Sequence, residues 1–276
     1  MAVLDRISIF PIKSLDGVSL SQARVMPSGA LEGDREFAIV DEAGKFVNGK
    51  RTARIHQLRS HFDLVRRRVT LRDSSASAGA DAEPVTFELD GDRAHLCSWL
   101  SQFFGQSVRV VQSAAAGFPD DPVEAGPTII STATLETAAS WFDSLDANDM
   151  RQRFRANLEL RETSAFWEDR LYAADGRGIP FQIGTVTLLG TNPCQRCIVP
   201  TRDARTGEAY PEFQRTFISQ RKATLPAWVA SQRFNHYYRL AVNTRLSDLG
   251  AEGVVRVGDR VAIAHSRAGS RSFLNP

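Results

Sequence analysis

A chain of 276 residues is long enough for one large domain or two of ordinary size. Its 42% hydrophobic and 24% charged residues are globular proportions, which exclude a disordered or fibrous chain. The 34 basic and 32 acidic residues leave a formal charge of +2, too small for a global pull toward a nucleic acid polymer or an anionic membrane.

The N-terminus, MAVLDRISIF, lacks a basic region followed by an apolar core, so no signal peptide is expected. No apolar run approaches the ~18–20 residues that cross a bilayer. Three cysteines, an odd number, do not make a disulfide framework. These features together predict a soluble, cytoplasmic protein.

The first third reads as short strands: VLDRISIF, VSLSQARV, EFAIVD and FVNG, the last two forming a hairpin across EAGK. HFDLVRRRVTL reads as one alternating strand, with Arg66, Arg67 and Arg68 on a solvated face. A small-residue loop over 74–84 leads to VTFEL. HLCSWLSQFFG has Leu96, Leu100, Phe103 and Phe104 at helical spacing and ends on a glycine, which predicts a helix over 95–105.

Residues 114–127, rich in Pro, Gly and Asp, read as a linker between a domain at 1–113 and a second at 128–266, with 267–276 as a loose tail. TIISTATLETAASWF predicts a short strand leading to a helix, and ANDMRQRFRANLEL a helix running into a strand. FQIGTVTLLG is a strand that ends at the turn signal Asn192-Pro193, PEFQRTFISQRK a helix, and RFNHYYRLAV and VVRVGDRVAIA closing strands. The pattern is β-rich α+β without regular βαβ alternation, so a two-part barrel or mixed β architecture is expected. With no GxGxxG after a strand and no GxxxxGK[ST], a Rossmann or Walker nucleotide site is not expected.

NPCQRCIVPTRD, residues 192–203, holds Cys194 and Cys197 three apart, with Arg196 between them. Structural zinc needs four ligands, and His95 with Cys97 would have to complete the set, although Cys97 reads as a small buried group in a helix. A redox pair belongs at a helix N-terminus, whereas this pair follows a strand and precedes Ile198-Val199-Pro200. Two cysteines in a turn without chemistry remain a third reading. A thiolate ligand to a soft metal is the fourth, and Arg196 beside it can hold an anionic cofactor. Local sequence does not choose the metal.

Other segments add a pattern. IFPIKSLDG (9–17), GDREFAIVD (33–41), FVNGKRTAR (46–54), RFRANLEL (153–160), FQIGTVTLL (181–189), NPCQRCIVPTRDARTG (192–207) and VGDRVAI (257–263) occur in an order that resembles the MOSC family, the molybdenum cofactor sulfurase C-terminal domain preceded by its N-terminal β-barrel partner. The chain is most similar to the amidoxime-reducing molybdenum enzymes and their bacterial relatives, from about residue 3 to 265. The resemblance implies an N-terminal β-barrel-like domain and a C-terminal MOSC β-barrel with flanking helices. It further implies a bound molybdenum cofactor (Mo-molybdopterin), with Cys197 as metal ligand and catalytic residue and Cys194 as a neighbour.

By motif position the cofactor contacts would be Lys13, Ser14, Arg35, Arg153, Phe154, Arg155, Asn157, Gln195, Arg196 and Tyr237. The residue types suit the task, because Arg forks and a Lys point charge bind phosphate strongly. The family often has Pro where this chain has Ala156, which leaves that loop less rigid. The implied activity is reduction of N-hydroxylated compounds: amidoximes, hydroxylamines and N-hydroxylated bases. With no cysteines left for an iron–sulfur module, electrons are expected from a separate donor of ferredoxin or flavin reductase type. The alternative is a cofactor or sulfur carrier without turnover of its own.

Overall fold

The computed structural model describes residues 1–75, 83–91, 93–247 and 252–263. Residues 76–82 of the small-residue loop and the whole of the expected tail at 267–276 lie outside the described residues.

In β1 (Val3–Ile9) the alternation buries Leu4, Ile7 and Ile9 and marks a strand with one face in a core. Its neighbours come from distant parts of the chain. β1 pairs antiparallel with β2 (Val18–Leu20) on one side and with β10 (Leu158–Arg161) on the other. β10 lies parallel to β9 (Ile129–Ser131). Between them run α2 (Thr132–Ala139) and α3 (Ala147–Phe154), the crossover that a parallel pair requires. β11 (Ile179–Ile183), β12 (Val186–Gln195), β13 (Arg239–Leu246) and β15 (Val261–Ile263) complete an eight-stranded sheet in the order β15-β11-β12-β13-β9-β10-β1-β2.

The remaining strands form smaller ladders. β3 (Gln22–Val25) pairs with β14 (Gly253–Arg256), and β4 (Phe37–Asp41) with β8 (Val108–Gln112). β5 (Leu58–Asp63), β6 (Arg68–Asp73) and β7 (Val85–Glu88) make a three-stranded meander. α1 (Arg93–Phe104) buries Leu96, Leu100 and Phe103 in a core shared with β4 to β8. A second core lies on the large sheet, and a third, rich in aromatic rings, joins α2, α3 and α4 (Phe213–Ala223). The β-rich α+β class is as expected, but the ladders of the described residues are open sheets rather than closed barrels.

Two local readings change. HFDLVRRRVTL is a hairpin and not one strand: the Asp63 carboxylate accepts from the Arg66 N–H at 2.9 Å and closes a turn, and Arg67 takes a left-handed φ of 50°. Arg67 is not a free surface cation either, being paired with Glu36 and Asp90. Asn192-Pro193 is not a turn. β12 runs through it to Gln195, and register shifts on both sides of the proline absorb its missing donor.

Candidate functional site

β12 delivers the cysteine segment. Cys194 is in the strand, and Cys197 follows its end, before a short 3-10 turn over Val199–Thr201. Arg239 of β13 donates to the Pro193 carbonyl at 2.7 Å, and the Arg196 N–H donates to the Tyr238 carbonyl at 3.1 Å, which fixes the strand end. The Arg196 guanidinium donates to Cys194 Sγ at 3.2 Å and to the Phe154 carbonyl, and lies over the Phe154 ring. Cys97 is elsewhere: it packs against the α1 core, and its Sγ accepts from the Val110 N–H at 3.3 Å. Among the described residues no group of three or more His, Cys, Asp or Glu is placed to hold a metal ion.

α3 supplies the next residues. Asp146 and Asp149 form a capping box at its start, and its last turn carries Arg153 and Phe154. Arg153 is buried and donates to the Pro200 carbonyl at 3.1 Å, which ties α3 to the loop after Cys197. Arg155 caps the helix in a left-handed conformation, φ 52°. That turn lays its guanidinium 4.0 Å from the centre of the Phe10 ring and lets it donate to the Leu15 carbonyl at 2.5 Å. Burial, then the neighbouring Arg35 charge, pushes the Arg155 pKa down to about 10. Asn157 uses its amide on the backbone, donating to the Ser8 carbonyl at 3.0 Å and accepting from the Thr128 N–H at 3.2 Å.

The N-terminal loops supply Lys13, Ser14 and Arg35. Lys13 is buried, and its ammonium donates to the Phe118 carbonyl and to Asp120 Oδ1, both at 2.8 Å. Burial lowers its pKa, with Asp120 opposing. Arg35 pairs with Asp34 and lies over Phe10. Burial disfavours its charge, but the Asp34 and Asp120 carboxylates offset this and leave the pKa above the ordinary value. Ser14, Arg35 and Arg155 all have positive φ, at 74°, 51° and 52°. Such backbone costs about 1–3 kcal/mol for non-glycine residues and clusters at functional sites.

These residues meet in one cavity of about 1080 Å³, lined by Lys13, Ser14, Arg35, Arg153, Phe154, Arg155, Asn157, Gln195, Arg196 and Cys197, with Cys194 also in its wall. Tyr237 is not in the wall: it stacks on Phe234, ring centroids 5.7 Å apart, against the core of the large sheet. Sequence reasoning did not single out His56, Arg59, Asp120, Arg202 or Arg239, which also line the cavity. Eleven lining side chains are Lys or Arg and five are Asp or Glu, so a nearly neutral chain concentrates positive charge here.

Known families account for both halves of this arrangement. The MOSC N-terminal beta barrel domain matches residues 1–107, and the MOSC domain matches residues 123–262. The chain belongs to the MOSC domain family. The molybdenum cofactor sulfurase of Drosophila yakuba is 26% identical over 288 residues, covering 94% of this chain and 34% of that protein. That of Caenorhabditis briggsae is 23% identical, over 82% of this chain and 33% of that protein. This MOSC protein thus spans about a third of the length of the curated relatives it matches. The YUAD protein of Bacillus subtilis superposes over 95% of this chain and 94% of that one at 12% identity, with a TM-score of 0.36, too low to bear on the fold.

The MOSC match contains α3, β12 and both cavity cysteines, while the N-terminal match contains Lys13, Ser14, Arg35, His56 and Arg59. Burial, together with the charges of Arg155, Arg202 and Arg59, lowers the His56 pKa to about 4, so its imidazole is neutral at pH 7. No helix of the described residues is long and apolar enough to cross a membrane.

Proposed function

We propose that this MOSC protein is a molybdenum-cofactor-dependent oxidoreductase that reduces N-hydroxylated compounds, with electrons from a separate donor. One observation carries the reading: a single cavity joins two thiols to a wall dense in arginine and lysine. A pterin cofactor with a phosphate tail and a soft metal asks for that donor set, and the residues present fit it.

Cys197 would hold the metal. Arg196 would orient the neighbouring strand end through Cys194 and Phe154, and Lys13, Arg35 and Arg155 would bind the phosphate. Ser14 and Gln195 add polar contacts from the wall, while Arg153 and Asn157 brace the backbone around it. When bound, the cofactor would supply the two-electron chemistry that removes the oxygen of an N–OH group. The protein's share is binding, orientation and exclusion of water around the thiol.

The second reading is a carrier of the cofactor or its sulfur without turnover of its own; what the relatives' name, molybdenum cofactor sulfurase, shares with it is the cofactor. Molybdenum and pterin content of the purified chain, with benzamidoxime reduction by a chemical donor, separates the two. The reductase reading expects both a loaded protein and turnover; a loaded protein without turnover that transfers its cofactor to an apo-enzyme means the carrier. Cys197→Ala should empty the molybdenum site and abolish activity, whereas Cys194→Ala should cost only a few-fold. Equal losses would remove the single-ligand assignment.

A further inference from the structure

The cavity has a second cationic wall that this reading leaves unused. Around Lys13 carboxylates are already in place: Asp34 pairs with Arg35, and Asp120 is shared between Lys13 and Lys50, 4.0 Å from the latter. The second wall is built by β5, β6 and the loop after Cys197. Arg59 and Arg72 are directly opposite in the β5–β6 register, so both side chains leave the same face, and both line the cavity. Like charges directly opposite on one face destabilise a sheet; Asp16 offsets the Arg59 charge, and Arg72 has no such partner among the described residues.

Across from them the loop contributes Arg202 and Arg205. Arg59 donates to the Ala204 carbonyl at 3.2 Å and Gln57 to the Thr206 carbonyl at 3.3 Å, so strand and loop are held together. The acids nearby are already used: Asp16 pairs with Arg59 at 3.1 Å, and Asp203 with Arg153 at 3.9 Å. Among the described residues the exposed Arg72 and Arg205 side chains have no hydrogen bond or ion pair.

We propose that Arg59, Arg72, Arg202 and Arg205 form a second phosphate-binding subsite, which takes a phosphate monoester borne by a nucleotide. His56 also lines the cavity, uncharged at pH 7, and its Nε2 is buried without a hydrogen-bond partner among the described residues, a polar atom left for the ligand. At about 1080 Å³ the cavity is at or above the ~300–1,000 Å³ of ordinary ligand sites, enough for a ligand with two separated anchors. The phosphate can arrive on an N-hydroxylated nucleotide substrate or as the second phosphate of a nucleotide-extended pterin. Only this choice of the ligand's other end rests on the reductase reading; the subsite does not.

The test titrates cytidine 5′-monophosphate, cytidine and inorganic phosphate into the full-length protein, read by calorimetry and by the NMR titration of His56. The monophosphate should bind at least tenfold tighter than cytidine, and phosphate should raise the His56 pKa from its depressed value. Arg72→Ala with Arg205→Ala, which removes no side-chain hydrogen bond or ion pair of the described residues, should cut monophosphate affinity tenfold with an unchanged melting temperature. Lys13→Ala should change it less than twofold. A monophosphate that binds no tighter than cytidine, or an affinity lost in Lys13→Ala and kept in the double variant, overturns the subsite. None of these readouts needs molybdenum, so a failure here is distinct from a failure of the reductase reading. Release of a nucleoside monophosphate from the isolated protein on mild acid hydrolysis assigns the subsite to the cofactor. No release, with monophosphate binding retained by loaded protein, assigns it to the substrate.

Discussion

Glu168 shows what a single buried charge does to this fold. It lies in a 3-10 turn beneath the large sheet, fully buried and beside Asp169, whose own carboxylate is taken by the buried Arg221. No cation of the described residues pairs with Glu168. Burial first, and then the Asp169 charge, raises its pKa to about 7. A carboxyl raised in the folded state stabilises fully below its unfolded pKa near 4.5, and that stability is lost as pH rises through 7. The difference is on the order of 3 kcal/mol, at 1.36 kcal/mol per unit. Glu168→Gln, which keeps the shape and removes the titration, should therefore gain on the wild type steadily from pH 4.5 to 8 in denaturant unfolding. The comparison cancels His56, whose lowered pKa acts in the opposite direction between about 4 and 6.5. Parallel curves for the two proteins would mean that Glu168 does not titrate in this range.

At the scale of elements, the segment 114–127 behaves as a wall of the site. Gly117 has a φ of 65°, and a Cβ there would fall 2.5 Å from the Asp34 carbonyl, so the loop can pack flat against Arg35. The Phe118 N–H donates to the Arg35 carbonyl at 2.9 Å, which sets Asp120 on Lys13. The Lys13 and Arg35 charges, with burial opposing, hold the Asp120 carboxyl well below the usual carboxylate range. Asp120 thus occupies Lys13, and a phosphate bound there, as proposed, would compete with it. Asp120→Asn should tighten inorganic phosphate about fivefold by calorimetry, the worth of roughly 1 kcal/mol for a partly exposed ion pair. Weaker or unchanged binding would show that Asp120 helps to build the site.

This segment was legible only as punctuation, because Pro, Gly and Asp content marks an irregular path and not what the path touches. Strands and helices were plain where periodicity was strong, as in β1, α1 and α4. β12 was misread at Asn192-Pro193 because bulges, invisible in sequence, override a turn signal. Side-chain direction at the start of β13 was equally hidden. Tyr237 stacks on Phe234, and its neighbour Tyr238 is the residue within electrostatic reach of Cys197 and Arg196.

For the whole molecule, the decisive contacts join residues about 150 apart. Alternation in β1 tells which face is buried, but nothing in it names β10 as its partner. Yet β1 sits inside the eight-stranded sheet, and Asn157, in the loop before β10, binds Ser8 at both backbone and side chain. The N-terminal match therefore supplies a strand to the core of the MOSC match, and β14 returns the exchange by pairing with β3. Deleting residues 1–9 removes the buried Leu4, Ile7 and Ile9. At ~1.5–3 kcal/mol for each buried aliphatic, with the sheet ladder in addition, the loss is comparable to the ~5–15 kcal/mol that holds a typical domain. The truncated chain should give collapsed amide dispersion in proton NMR, and the intact chain should unfold in a single calorimetric transition. A segment 123–262 that gives a dispersed spectrum on its own would show that the sheet closes without β1, and that the two matched segments are held together at the cavity and not through the core.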